Sequence, residues 1–397
     1  MTSGPSPLSV RQLNTLRVIE AIYRQPATSR AEITRQTGLA RQTVSTITDE
    51  LLQAGIAEEH DGSGDARPRN TGRPPMLLSL VADAAFAVGL DFGHQHIRVA
   101  LCDLSGHSVV DDFSPAEVDH APTESLDLAH ELVRHALDTA GIGHDQLLGV
   151  GMDLAAPIDR VTGQLTANGI LPGWHGIRPA AEMEARLGVP VKIENDANAG
   201  ALGENLFGAG RGVDDLVYVR LSAGIGAGLI LSGRPYHGSL GIAGEIGHVL
   251  SDPQGPICRC GNRGCLETIA SPVAVAALLE RSIGQPVSIA TLLEMVADGH
   301  RGARRAVTDA GEATGRVLAA LVNVVNPELL LFGGELAAAG EVILEPIRAA
   351  LARHCVAPAA ASIRVAAGTL GPRAEVLGAA ALILAQSPHT LAQRVRR

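Results

Sequence analysis

Twice in this chain of 397 residues an apolar run enters a glycine-bearing turn and leaves as a second apolar run. The first instance is "FAVGLDFGHQHIRVALCDLSG", residues 86–106, with Asp91 and Gly93 at the turn. The second is "DLVYVRLSAGIGAGLILSG", residues 215–233. Each reads as a β-hairpin. Further strand signals are "LLGVGMDLA", "VPVKIEN" and "ELLLFGGEL", the last containing a double glycine. Between them lie helical patterns such as "PVAVAALLERSI" and "RAVTDAGEATGRVLAALVNVV". Alternation of this kind indicates α/β architecture. Two hairpins built alike suggest two lobes on a shared plan, and the length suits two or three folded units. Aromatic residues are 2% of the chain, so its cores must be built from Ala, Val, Leu and Ile.

No apolar run reaches the roughly 18 residues that suggest a membrane helix. The opening "MTSGPSPLSVRQ" lacks the basic-then-apolar layout of a signal peptide. A cytoplasmic protein without a membrane partner is expected. There thiols stay reduced, and clustered cysteines bind metal more often than they pair.

The net charge of −10 argues against a general nucleic-acid binder. It is unevenly spread, however. Residues 1–80 hold nine Arg and eight Asp or Glu, which leaves +1 on the head and −11 on the rest. A near-neutral head binds DNA if its arginines share a face. Within it, "SVRQLNTLRVIEAIYRQ" reads as a helix with Leu13, Leu16, Ile19 and Ile22 buried. Ser29 and Glu32 form the pattern of a capping box at the next helix start. Gly38 ends that helix, and another begins near Arg41 with Val44, Ile47 and Leu51 as its buried stripe. Its outer face then presents Arg41, Gln42, Thr43, Ser45 and Thr46. This is the layout of a helix-turn-helix, although Ala40 stands where a Ser or Thr cap is expected. Arg and Gln make bidentate contacts to guanine and adenine edges, and small hydroxyls fit against bases or phosphates. The other reading is a plain helical hairpin. The stretch after Gly55 reads as a wing, two short strands around a Gly/Pro/Arg loop with Arg67, Arg69 and Arg73 near the backbone or minor groove. Read otherwise, that loop is a flexible linker.

From about residue 85 onward the ordered motifs "DFG", "IENDANAGALGE", "LSAGIGAGL", "GEIGH", "CRCGNRGCLE" and "LFGGEL" resemble the ROK family of repressors, open reading frames and sugar kinases. "TGRPP" before the body is similar to the family's repressors. The resemblance implies an actin-like (ribonuclease H-like), two-lobed α/β body with a sugar in its cleft, preceded by a winged helix-turn-helix. The implied division is a DNA-binding domain over 1–80, a first lobe over 81–194 plus about 375–397, and a second lobe over 195–374.

The same resemblance assigns site residues. In ROK kinases the two hairpin turns resemble Asp-x-Gly-Gly-Thr and Gly-Thr-Gly and hold ATP phosphates through backbone N–H groups and a Thr hydroxyl, which needs backbone with no Cβ in the way. Here the turns read Asp91-Phe92-Gly93-His94-Gln95 and Ser222-Ala223-Gly224. Both Thr hydroxyls are gone and His94 and Gln95 are bulky, so nucleotide binding reads as degraded; Gly333 and Gly334 would face the nucleoside end. On the sugar side Asn195 and Asp196 end a strand and open a helix, where short polar side chains can bond adjacent hydroxyls or simply cap the helix. In the kinases the Asp at this position takes the proton from the attacking hydroxyl. Glu245, His248 and Glu267 match the remaining sugar-contacting positions. Trp174 is either a pocket wall or a core anchor, and Ala155 and Ala156 depart from the family's Pro-Gly turn. His248, Cys258, Cys260 and Cys265 offer one imidazole and three thiolates, a set suited to a structural, tetrahedral Zn2+. Without metal they would be a cluster of reduced thiols.

Two functions are implied. One is a sugar-responsive regulator, in the first place a repressor of carbohydrate genes, binding double-stranded operator DNA as a dimer or tetramer with a sugar or sugar phosphate in the cleft. The other is a glucose-type sugar kinase using ATP and Mg2+ and carrying an extra domain, with Asp196 as base.

Overall fold

The computed structural model describes residues 9–61, 76–166 and 170–395. The head comprises α1 (Val10–Arg24), β1 (Thr28–Ser29), α2 (Arg30–Thr37), α3 (Arg41–Gln53), β2 (Ala57–Asp61) and β3 (Met76–Leu80). β3 lies between β1 and β2 and runs antiparallel to both. The turn from α2 to α3 passes through Gly38 at φ 69°. Val44, Ile47 and Leu51 of α3 pack into one buried cluster with Ile19, Ile22 and Ile33.

Two details of the head differ from the sequence reading. Leu13 is 44% exposed. The buried face of α1 carries Thr15, Val18, Ile19 and Ile22, a true i, i+3, i+4, i+7 stripe rather than a strict three-residue repeat. At α2, Ser29 Oγ accepts the N–H of Glu32 at 3.2 Å. The Glu32 carboxylate turns instead to Arg35 and Gln36, so only half the capping box forms.

The body begins with β4 (Phe86–Phe92), β5 (His96–Asp103), β6 (Ser108–Pro115), α4 (Pro122–Ala140), β7 (Leu147–Leu154), α5 (Pro179–Leu187) and β8 (Val191–Asn195). α6 (Asp196–Phe207) follows, then β9 (Leu216–Leu221), β10 (Ile225–Leu231) and β11 (Arg234–Pro235). Next come α7 (Glu267–Ala270), α8 (Pro272–Ile283), α9 (Ile289–Ala297), α10 (Arg301–Val325) and β12 (Leu329–Gly333). The chain closes with α11 (Glu341–His354), α12 (Ala357–Ser362), β13 (Arg364–Ala367), α13 (Ala374–Leu384) and α14 (Ser387–Arg394).

The strands form two sheets, ordered β6-β5-β4-β7-β8 and β11-β10-β9-β12-β13. Their plan is the same. A central strand, β4 or β9, pairs antiparallel with the strand after the glycine turn. On its other edge it pairs parallel with β7 or β12, and these pair parallel with β8 or β13. β4, β7 and β9 are buried along their whole length. A strand covered on both faces needs a mostly apolar run rather than alternation, and these segments are apolar except for Asp91, Asp153 and Arg220.

α13 lies against α6 and against β4 and β7. The two helices meet through small residues. A Cβ on Gly378 would sit 1.7 Å from the Ala199 carbonyl oxygen. The backbones therefore touch where any side chain would hold them apart. Beyond α13, α14 packs on α1 of the head. Head residues Val18, Ile33 and Leu78 share a single apolar cluster with Cys102, Val376, Leu384 and Leu391 of the body. Among the described residues, no helix is long and apolar enough to cross a membrane.

Candidate functional site

The junction from β8 to α6 builds the floor of a cavity. Asn195 is the cap of α6, its side-chain oxygen accepting the N–H groups of Ala197 and Asn198 at 3.0 and 3.3 Å. Asp196, the first helical residue, also lines the cavity. Around it stand Asn195, Glu245, His248 and Glu267, together with His94, Ala155, Ala156, Pro157, Arg220, Gly224 and Arg259. All five residues that the family resemblance assigns to sugar thus share one cavity.

Its charges are tightly organised. Asp196 Oδ1 accepts from Asn195 Nδ2 at 2.9 Å and from the Ala197 N–H at 2.8 Å. Asp196 Oδ2 lies 2.9 Å from Arg220 Nη1. Arg220 Nε reaches Glu375 Oε1 at 3.1 Å, and the Tyr218 hydroxyl donates to the same oxygen at 3.0 Å. Burial works against the Arg220 charge, and the carboxylates of Asp196 and Glu375 more than offset it. Burial also pushes the Glu245 carboxyl up to about 7, with the charges of Asp196 and Glu267 adding to it. Glu267 is fixed by the Arg259 guanidinium, at 3.0 Å to Oε1 and 3.1 Å to Oε2, and by the Ile225 N–H at 3.2 Å.

His248 faces two ways. Its Nε2 is 3.8 Å from Glu245 Oε2, while Nδ1 is 3.6 Å from Cys258 Sγ. Cys260 and Cys265 bring their sulfurs to 3.6 Å, and all four ligand atoms lie within 4.8 Å of one another. A tetrahedral zinc with bonds of about 2.3 Å to sulfur and 2.0 Å to nitrogen has edges of about 3.5–3.8 Å. The residues fit such an ion. The loop closes through Gly264 at φ 69°, where a Cβ would lie 1.6 Å from the Asp252 carbonyl oxygen. Glycine is obligatory there on both counts.

The residues of the two glycine turns separate. Gly224 lines the first cavity, beside Arg259 and Glu267. Asp91, Gly333 and Gly334 line a second cavity of about 560 Å3 with His96, Arg98, Phe113, Arg220 and Glu375. Gly93 and Ala223 line neither. The bulk at the first turn is His96, not His94 or Gln95. The His96 ring covers Gly93, approaches Asp91 Oδ2 at 3.1 Å and stacks on Phe113 with centroids 5.3 Å apart. His94 instead pairs with Asp119 at 2.7 Å and lines the first cavity, and Gln95 is exposed. Beneath His96, Asp91 and Asp153 are neighbours across β4 and β7. Burial and the Asp91 charge hold the Asp153 carboxyl well above the usual range, while His96 and Arg220 keep Asp91 low against its burial.

Trp174 is a core anchor. It is fully buried, its Nε1–H donates to the Val118 carbonyl at 2.7 Å, and its ring meets Phe92 edge-on.

On α3, Arg41, Gln42 and Thr46 are exposed, and Thr43 and Ser45 are half-buried. Ser45 Oγ accepts from Arg30 Nη1 at 3.0 Å. Arg30 also pairs with Asp49 and Glu59, each at 2.8 Å, and so ties α2, α3 and β2 together. Arg67, Arg69 and Arg73 lie outside the described residues. Sequence reasoning missed Arg220, Arg259 and His96. An arginine inside the apolar run "LVYVRL" was a usable signal, since a charge in a fully buried strand requires buried partners.

Two sheets on one plan, with a polar cavity beside a three-cysteine, one-histidine cluster and a three-helix head with a small sheet, define an actin-like two-lobed body carrying a winged-helix DNA-binding domain. The chain belongs to the ROK family, whose model matches residues 87–386. The MarR family model matches residues 9–68. The xylose repressor of Caldicellulosiruptor bescii is 29% identical, the match covering 94% of this chain and 96% of that protein. A crystal structure described as a ROK family transcriptional regulator, homolog of the E. coli MLC protein, superposes with TM-score 0.80 at 26% identity, over 97% of this chain and 98% of that one. A ROK family glucokinase from Streptomyces griseus, solved with glucose and AMPPNP, gives TM-score 0.64 at 28% identity over 75% and 99%.

Proposed function

We propose that this protein is a sugar-responsive, DNA-binding transcriptional regulator, acting as a repressor of carbohydrate genes in the cytoplasm. One observation carries the reading: a helix-turn-helix head and a polar cavity occur in one chain, and head and body share an apolar cluster. The likeness of the whole chain to proteins named as repressors supports it. Asn195, Asp196, Glu245, His248 and Glu267 bond the hydroxyls of a sugar or sugar phosphate. His248 Nδ1 and the sulfurs of Cys258, Cys260 and Cys265 hold a structural zinc. When bound, that ion would fix the loop whose ends carry Glu245 and Glu267, and it leaves His248 Nε2 for the ligand. Arg41 and Gln42 read base edges, and Thr43, Ser45 and Thr46 meet bases or phosphates. Arg69 and Arg73 bind the backbone or minor groove. Two copies place two heads on successive operator half-sites.

The alternative, a sugar kinase, has Asp196 in its favour. Against it, His96 covers the turn where phosphates would lie, and Arg220 pairs with the Asp196 carboxylate that would act as base. The test is a promoter gel shift with the wild type and Arg41→Ala, alongside thermal-shift screening of sugars and sugar phosphates. The reading expects Arg41→Ala to lose DNA and at least one sugar to raise the melting point. An Arg41→Ala protein that binds as well as wild type would refute the recognition-helix assignment.

A further inference from the structure

Arg220 is the one side chain that lines both cavities among the described residues. It projects from β9 of the second sheet, and its partners come from elsewhere. Asp196 opens α6, Glu375 lies in the first turn of α13, and Asp91 on β4 acts on its charge. The acceptor count on Asp196 gives this placement a consequence. Oδ1 already takes two N–H donors, so its lone pairs are used. A sugar hydroxyl reaching Asp196 must bond Oδ2, the oxygen that Arg220 holds at 2.9 Å. Ligand and guanidinium meet on one atom.

From Glu375 the path to the head is short and packed. α13 is buried on almost every side, touches α6 through Gly378, and leads into α14, which packs on α1. Leu377, Leu384 and Leu391 lie in the cluster that also holds Ile19, Ile22 and Leu51 of the head. Packing is thus contiguous from Glu375 through α13 and α14 to the head.

Resting on the sugar-cavity reading above, we propose that Arg220 is the positioning residue that couples that cavity to the DNA-binding head. It is drawn toward Asp196 or toward Glu375 according to whether a hydroxyl shares Oδ2, and α13 carries the difference.

The test uses the full chain and a duplex that the wild type itself selects from a random DNA pool. DNA affinity is read by fluorescence anisotropy with and without D-glucose, D-xylose, N-acetyl-D-glucosamine and D-glucose 6-phosphate. Sugar binding is read separately by calorimetry. For the wild type, one of these probes should change DNA affinity about tenfold. Arg220→Met should keep ligand-free DNA affinity within about twofold and, at sugar concentrations that calorimetry shows to saturate the variant, show almost no sugar effect on DNA. Arg220→Lys, which keeps charge without the fork, should recover part of the coupling. Glu375→Gln should lose coupling as Arg220→Met does, and it decides the matter should Arg220→Met fail to fold. A full sugar effect on DNA in either Arg220→Met or Glu375→Gln overturns the proposal. A wild type that binds none of the probes overturns the cavity reading and this proposal with it.

Discussion

At the scale of single residues the account turns on buried carboxylates. Asp196→Asn removes a charged acceptor of ligand hydroxyls and the partner of Arg220, interactions of about 1.5–3 kcal/mol each. Calorimetry with the cognate sugar should show affinity reduced at least about tenfold. Burial pushes the Glu375 carboxyl up to about 7, against the opposing pull of the Arg220 charge. The stability this group contributes is fully present below its ordinary value of 4.5 and is lost as pH rises through about 7. Glu375→Gln should therefore gain on the wild type by up to about 3 kcal/mol between pH 4.5 and 8, read by urea unfolding. An unchanged difference across that range would contradict the assignment. Cys260→Ser should lower bound zinc and abolish the sugar-induced rise in melting point. A variant lacking metal that keeps the full rise would separate the two roles of His248. Asn195, Asp196, Glu245, His248 and Glu267 were legible because each sits in a recognisable local motif. Arg220 was not, because its partners are 24 residues before it and 155 after it, and only the fold brings them together.

At the scale of elements the glycine crossing of α6 and α13 is the tightest joint. Gly378→Ala should destabilise the fold by about 1–3 kcal/mol, since the added methyl meets backbone that cannot rotate away. The urea midpoint measures it, and a neutral outcome would mean that the helices separate easily. The element types were readable from period and punctuation: Gly38 in the turn, and apolar runs broken by one charge each for β4, β7 and β9. Side-chain detail was less readable. Glu32 had an alternative partner in Arg35, and the sequence pattern of a capping box does not rank the two. Leu13 fitted the apolar spacing, yet the face of α1 is set by what it packs on, namely α14 and the head core. Bulk at the first turn was expected from His94 and Gln95, whereas the ring against Gly93 is that of His96. Asp119, 25 residues after His94, draws that ring away, and Asp91 draws in His96.

At the scale of the whole molecule the duplicated sheet plan follows from two similar hairpins, and the sequence announced both. What it did not announce is the continuity of the head with the body. Cys102, Val376 and Leu391 are unremarkable apolar residues until they are found in one cluster with Val18 and Ile33. That continuity gives the proposed coupling of cavity and DNA-binding helix a packed connection to act through. The measurement that bears most directly on this claim is DNA affinity of the full chain, with and without saturating sugar, across a panel of hexoses, pentoses and their phosphates. The account predicts that at least one of them changes the dissociation constant by about tenfold, and that Asp196→Asn removes the change. A DNA affinity that stays the same in the presence of every sugar shown to bind the protein would contradict it.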